Sequence, residues 1–225
     1  MELSSLSPGV IITVVIGIAL APFVAVMVTS FTKIVVVLSL LRSALGLQQV
    51  PPNVVMNGLA IILSVYVMYP VIVETKESIA NYLEQEEKSM TADSMTVETM
   101  IVLINLAKEP LKDFLMKHSD EDERRFFLRS VRRLLPEGRK QEVQERDFMV
   151  VVPAFTVGEL TAAFQIGFLI FLPFLVIDLI TSSILQALGM MMMSPTQVSL
   201  PFKLLLFVFV GGWTHLIHGL VLTYV

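Results

Sequence analysis

Three charged side chains stand in long apolar stretches of this 225-residue sequence: Glu159, Asp178 and Lys203. A charge in a lipid-length helix is expensive, and it marks a pathway, a relay or an assembly contact. Between Asp178 and Lys203 lie four consecutive methionines, Met190, Met191, Met192 and Met193. Unbranched thioethers are flexible and polarizable, so such a run either fills a hairpin turn or forms a deformable apolar patch. Glu159 and Asp178 are 19 residues apart, which is about 28 Å along a straight helix. That is too far for joint acid–base work within one chain. His215 and His218 share a helix face by their spacing. A metal would need a third ligand, and none lies nearby in sequence, so packing or interhelix hydrogen bonding is the favoured reading.

Other chemistry is missing. There is no Gly-rich phosphate loop ending in Gly-Lys-Ser/Thr, no H-E-x-x-H and no G-x-S-x-G. ATP hydrolysis and intramembrane hydrolysis therefore have no machinery to rest on, and no cofactor is implied. There is no cysteine, which removes disulfides, thiolate metal sites and thiol nucleophiles. A net charge of −4 and a pI near 5.4 give no basis for nucleic-acid binding.

The elements that must position these residues are apolar. The chain is 55% hydrophobic and 16% charged, with mean hydropathy +0.76, against about 25% charged for a soluble domain. Seventeen Asp/Glu and 13 Lys/Arg fall between Glu74 and Asp147, which is 30 of the chain's 36 charged residues. The rest are Glu2, Lys33, Arg42, Glu159, Asp178 and Lys203. The expected architecture is all-α: about four hydrophobic helical segments of membrane type, with a small helical soluble insert. Residues 1–73 form the N-terminal hydrophobic block, 74–147 the charged insert, and 148–225 a C-terminal hydrophobic hairpin carrying the methionine turn.

Pro8 to Val28 is long enough to span a hydrocarbon core. A cleaved signal peptide is the less favoured reading, because the first residues carry Glu2 and no Lys or Arg. Phe31 to Leu41 either prolongs that helix or re-enters beside it. Gly46 to Asn53, with Pro51 and Pro52, is a turn. Asn57 to Val73 is the next apolar helix, near the lower limit for spanning. In the insert, Val97, Ile101, Ile104, Leu111 and Leu115 recur at helical spacing, with a kink expected at Pro110. Ser119 and Asp122 resemble a capping box opening the next helix, whose acidic start and Arg129, Arg132 and Arg133 complement the helix dipole. Val150 to Val157 reads as a lead-in broken by Pro153, Leu160 to Leu188 as a long helix containing Pro173, and Leu204 to Tyr224 as the last helix. Phe164, Phe168, Phe171 and Phe174 share a face, for which core packing is favoured. Gly211-Gly212 allows close helix approach or helix flexibility. Counting Lys33 and Arg42 near the first short loop puts that turn inside, leaving the charged insert and both termini outside.

Five strings carry a resemblance: TSFTKIVVVLSLLRSALGLQQVPPNVVMNGLAIIL from Thr29, KEPLKDFL from Lys108, ELTAAFQIGFLIFLPFLVIDL from Glu159, GMMMMSP from Gly189 and SLPFKLLLFVFVGGW from Ser199. They are long, ungapped and cover most of the chain. Together they resemble the SctR/FliP family, the export-gate proteins of bacterial type III secretion, with the injectisome branch favoured over the flagellar one. The resemblance implies a bacterial inner-membrane protein with a periplasmic insert. It implies a homo-oligomer of five copies with SctS-like and SctT-like subunits. SctU-like and SctV-like proteins and inner rod or needle proteins are the further partners, and unfolded secreted proteins pass through the centre. It also implies helical hairpins lifted out of the bilayer plane, which competes with four spans.

With that resemblance, Gly189, Ser194 and Pro195 around the methionines favour a pore seal over a filler turn. Lys203 needs an anion. From the turn centre, Lys203 lies about 15 Å along its helix, Asp178 about 22 Å and Glu159 about 51 Å. Asp178 is thus the easier partner within one chain, whereas the resemblance favours a Glu159–Lys203 link between copies. The alternative function is a small ion channel or secondary transporter using the three charges as a relay; it predicts an inverted repeat, and none is found.

Overall fold

The computed structural model describes residues 8–47, 49–87, 97–190 and 192–225. Among them the chain is all-helical, as expected, with no strand. The helices are α1 (Pro8–Val28), α2 (Phe31–Ala44), α3 (Asn53–Glu87), α4 (Val97–His118), α5 (Glu121–Leu134), α6 (Phe148–Ala187), α7 (Pro195–Phe209) and α8 (Gly212–Leu222).

The centre of the fold is α2. Ile34, Val37, Leu38 and Leu41 repeat at helical spacing and are completely or almost completely buried, an apolar stripe of the kind that drives helix packing. The stripe meets Met56, Ala60 and Leu63 of α3, Ala163 of α6 and Leu220 of α8. Gly167 of α6 lets α2 come close: a Cβ there would lie 2.2 Å from Leu40 Cδ1. A second core joins Val28, Met68, Val151, Phe155 and Tyr224 to Phe114 and Leu115 of α4, so the charged insert is packed onto the apolar block.

Phe31 to Ala44 does not prolong α1 as a straight helix: Pro22–Val28 meets α2 at 79°. Thr32 Oγ1 donates to Val26 O across the corner at 2.7 Å, satisfying a carbonyl freed at the helix end. The Gly46–Asn53 turn is present, with Gly46 at φ +77°, and Arg42 fastens it by donating to Asn53 Oδ1 at 2.6 Å and Pro51 O at 3.3 Å.

Several segment readings are corrected. The helix expected over Asn57–Val73 runs from Asn53 to Glu87 through Pro70, so position 73/74 falls inside a continuous helix. Val150–Val157 is not a broken lead-in: α6 is one helix of 40 residues containing both Pro153 and Pro173, about 60 Å long. The cap of α5 is Asp120, not Ser119; its carboxylate accepts from Asp122 N and Glu123 N. A carboxylate one residue nearer the helix reaches two orphan amides at once. The predicted last helix is two: α7 and α8 meet at 61°. Among the described residues two helices can cross a membrane by length and composition, or up to four if each bent pair is one span.

Candidate functional site: two buried ion pairs and a methionine turn

α6 carries Glu159 to the depth where α2 begins and α8 ends. There Lys33 Nζ lies 2.9 Å from Glu159 Oε1, with the two side chains 7% and 3% exposed. The Tyr224 hydroxyl donates to Glu159 Oε2. Lys33 Nζ also sits 4.1 Å above the centre of the Tyr224 ring, a favourable cation–π position. Both carboxylate oxygens are therefore engaged. The other side of Tyr224 faces the insert, with Phe114 stacked at 6.2 Å and His118 edge-on at 5.3 Å. Lys33 stood out as one of the six sparse charges outside the insert and as a flank of the first short loop, with no partner assigned. Tyr224 and His118 gave no signal, because they are ordinary residues until the fold sets them against a buried charge.

The second pair closes the hairpin. Lys203 Nζ is 2.6 Å from Asp178 Oδ2, the partner that distance along the helices allows. Lys203 also donates to Ala44 O at 3.1 Å, so its ammonium rests on the carbonyl of the last residue of α2, the negative end of that helix. Ser199, fully buried, donates to Asp178 Oδ1 at 2.5 Å. Glu159 and Lys203 each have an opposite charge within their own chain, so neither requires the intersubunit Glu159–Lys203 link that the resemblance favoured. Among the described residues no fully buried side-chain nitrogen or oxygen lacks a partner.

Beyond this clamp the chain turns between α6 and α7. Gly189, at φ +73°, supplies the left-handed residue that ends α6, and Pro195 opens α7. Met190 and Met193 are about half exposed and Met192 is fully exposed. Met191 lies outside the described residues. These three thioethers are thus presented at the tip of the hairpin and fill no core of their own chain.

Gly211 and Gly212 lie at the break between α7 and α8. Gly211 takes φ +64° and ends α7; a Cβ on Gly212 would lie 2.2 Å from the Phe207 ring. The pair makes an elbow with an aromatic ring packed against it. Of the phenylalanine stripe, Phe174 packs against Phe207 as expected and Phe171 is partly buried, but Phe164 and Phe168 are 59% and 62% exposed. α6 is covered on one face only at that height. His215 Nδ1 lies 3.3 Å from Gly211 O, and no group of three metal-donor residues occurs among the described residues. In the insert, Arg124 pairs with Glu145 at 2.9 Å, Arg125 pairs with Glu121, and Arg132 donates to Val143 O. The arginines are tied locally, as a solvated face should be.

His118, at the end of α4, is held down to about 4, by burial first and then by Lys117 and Lys33. It is neutral in the fold at neutral pH, whereas the unfolded chain takes up the proton near pH 6.5. Its contribution to stability is therefore fully present above pH 6.5 and is lost as pH falls towards 4. Thermal unfolding of the purified protein at pH 7.5 and pH 5 should show this loss, and His118→Phe should lose less. Equal pH sensitivity in both proteins would remove the assignment.

The FliP family description matches residues 13–220. The chain is 47% identical over 215 residues to the hypersensitivity response secretion protein HrcR of Ralstonia nicotianae, covering 95% of this chain and 96% of that one. It is 50% identical over 205 residues, 91% of each chain, to the Yop proteins translocation protein R of Yersinia pestis. It is 44% identical over 207 residues, 92% of each chain, to the virulence protein YscR of Salmonella typhimurium.

Proposed function

The chain belongs to the FliP family of type III secretion proteins, and on that premise we propose that it is a core subunit of the export gate: copies close around a central route for unfolded protein, and their methionine turns seal it. The observation that carries this reading is the exposure of Met190, Met192 and Met193 at the tip of an apolar hairpin. Four or so apolar helices from one copy would pack together and enclose no hole wide enough for a polypeptide, so the conduit is made between copies. Five copies are proposed, with SctS-like and SctT-like subunits beside them, SctU-like and SctV-like proteins around the entrance, and inner rod or needle proteins above. The setting is the bacterial inner membrane, with the charged insert on the periplasmic side. The role is that of a conduit, not an enzyme.

Thioethers repack around whatever occupies the hole and disfavour water and ions when it is empty. Replacing Met190 to Met193 by alanine should therefore raise the resting ion conductance of the membrane while the extracted particle keeps its mass. Unchanged conductance in an intact particle would overturn the seal, and a particle of monomer mass without partner subunits would overturn the ring. A small channel or transporter would instead use Glu159, Asp178 and Lys203 as a relay. The closed pairs, with Glu159 held on both oxygens and Lys203 on two acceptors, favour a structural role for these charges.

A further inference from the structure

Under the α7–α8 elbow lies a cleft of about 550 Å³. Its walls include Leu41, Ile166, Ile170, Phe174, Phe207 and Leu216, and Gly212 lies in the lining without a side chain to narrow it. The size falls in the range of roughly 300–1,000 Å³ that takes a compact apolar group, and an unfilled lining forfeits dispersion contacts. On the opposite face of α6, Phe164 and Phe168 project with 59% and 62% of their surface exposed. Residues 164 and 168 precede 166 and 170 by two positions, which is about 200° around the helix and about 3 Å along it. Knob and cleft therefore stand at one height on opposite sides of the same helix.

We propose, on the reading that copies of this chain close into a ring, that neighbours join by seating Phe164 and Phe168 of one copy in the elbow cleft of the next. A patch and its complement on different faces of one molecule make a head-to-tail contact, which closes as a ring or runs on as a helix. In an apolar surround, association depends on van der Waals fit rather than on the hydrophobic effect. A rigid phenyl ring with two rotatable bonds loses little freedom on seating. Each phenylalanine can bury on the order of 150–250 Å², so the two form a central anchor. A full interface needs about 800 Å² per partner, and Val157, Leu172 and Leu175, exposed on the same side of α6, extend the anchor towards it.

The chain has no cysteine, so crosslinks can be placed cleanly. Gln165→Cys beside the knob and Val210→Cys on the cleft rim leave both phenylalanines in place. In membranes of cells making the whole secretion apparatus, mild oxidation of the double variant should give a disulfide ladder extending beyond the dimer. Each single-cysteine variant should give none, and adding Phe164→Ala with Phe168→Ala should reduce the ladder to the single-cysteine level. A multi-copy particle without a ladder, or a dimer from either single variant, would overturn the contact while leaving the ring intact. A monomer-mass particle would overturn both readings. A photoreactive residue at Ile170 should capture a second copy of this chain; capture of lipid alone would show that acyl chains fill the cleft and overturn the proposal.

Discussion

Lys33→Met is expected to destabilise the protein by about 3–5 kcal/mol, the usual consequence of orphaning a buried charge. The substitution keeps the length of the side chain but leaves the Glu159 carboxylate, 3% exposed, with the Tyr224 hydroxyl as its remaining partner. Glu159→Leu should be equally damaging, because Lys33 would keep only the Tyr224 ring face. The triple variant Lys33→Met, Glu159→Leu, Tyr224→Phe replaces the whole group by apolar side chains of similar volume, and should recover most of the loss, since an apolar substitute for a complete buried pair is often neutral. Thermal unfolding in detergent and protein abundance in the membrane check this. A Lys33→Met protein as stable as its parent would refute the pairing.

The second pair should respond unequally to loss of its two members. Asp178→Ala leaves the Lys203 ammonium, 3% exposed, with only the Ala44 carbonyl, and should destabilise by about 3–5 kcal/mol. Lys203→Met leaves an Asp178 side chain that is 30% exposed and still bonded to Ser199, so water takes over part of the solvation. The expected loss is roughly 1.5–3 kcal/mol, that of a hydrogen bond to a charged group. The order matters more than the sizes. If Lys203→Met were the more damaging change, the ammonium would have a further partner, and the account of the clamp would be wrong. The methionine turn hangs from this clamp, so Asp178→Ala should also raise resting leak, whereas a leak unchanged from wild type would separate clamp from turn.

Much of the site was legible because charges are scarce outside the insert. Glu159, Asp178 and Lys203 stood out on an apolar background, and distance along two helices made Asp178 the easier partner of Lys203 within one chain, although the resemblance favoured Glu159 of another copy. Lys33 was visible for the same reason, yet its partner was not, because Glu159 lies 126 residues further along the chain and no local spacing relates them. Pro153 misled the reading of where α6 starts. Pro70, Pro153 and Pro173 sit inside continuous helices, where packing on neighbours outweighs the loss of one backbone hydrogen bond each. Gly211-Gly212 was noticed, with close helix approach and flexibility both open, since a glycine pair permits close approach and a bend alike; the Phe207 ring against Gly212 is what makes it an elbow.

Apolar length, helical period, the scarcity of charge and the methionine run are properties of neighbouring residues, and the amino-acid order alone determined them: an all-helical chain of membrane type, a charged insert, a methionine turn and a few costly charges. Which charge meets which, the corner that turns α1 into α2, and the bare face left on α6 were decided by the tertiary structure. These depend on where helices distant in sequence cross and at what depth. That is settled by packing α2 between α3 and α6 through side chains whose partners no local pattern records.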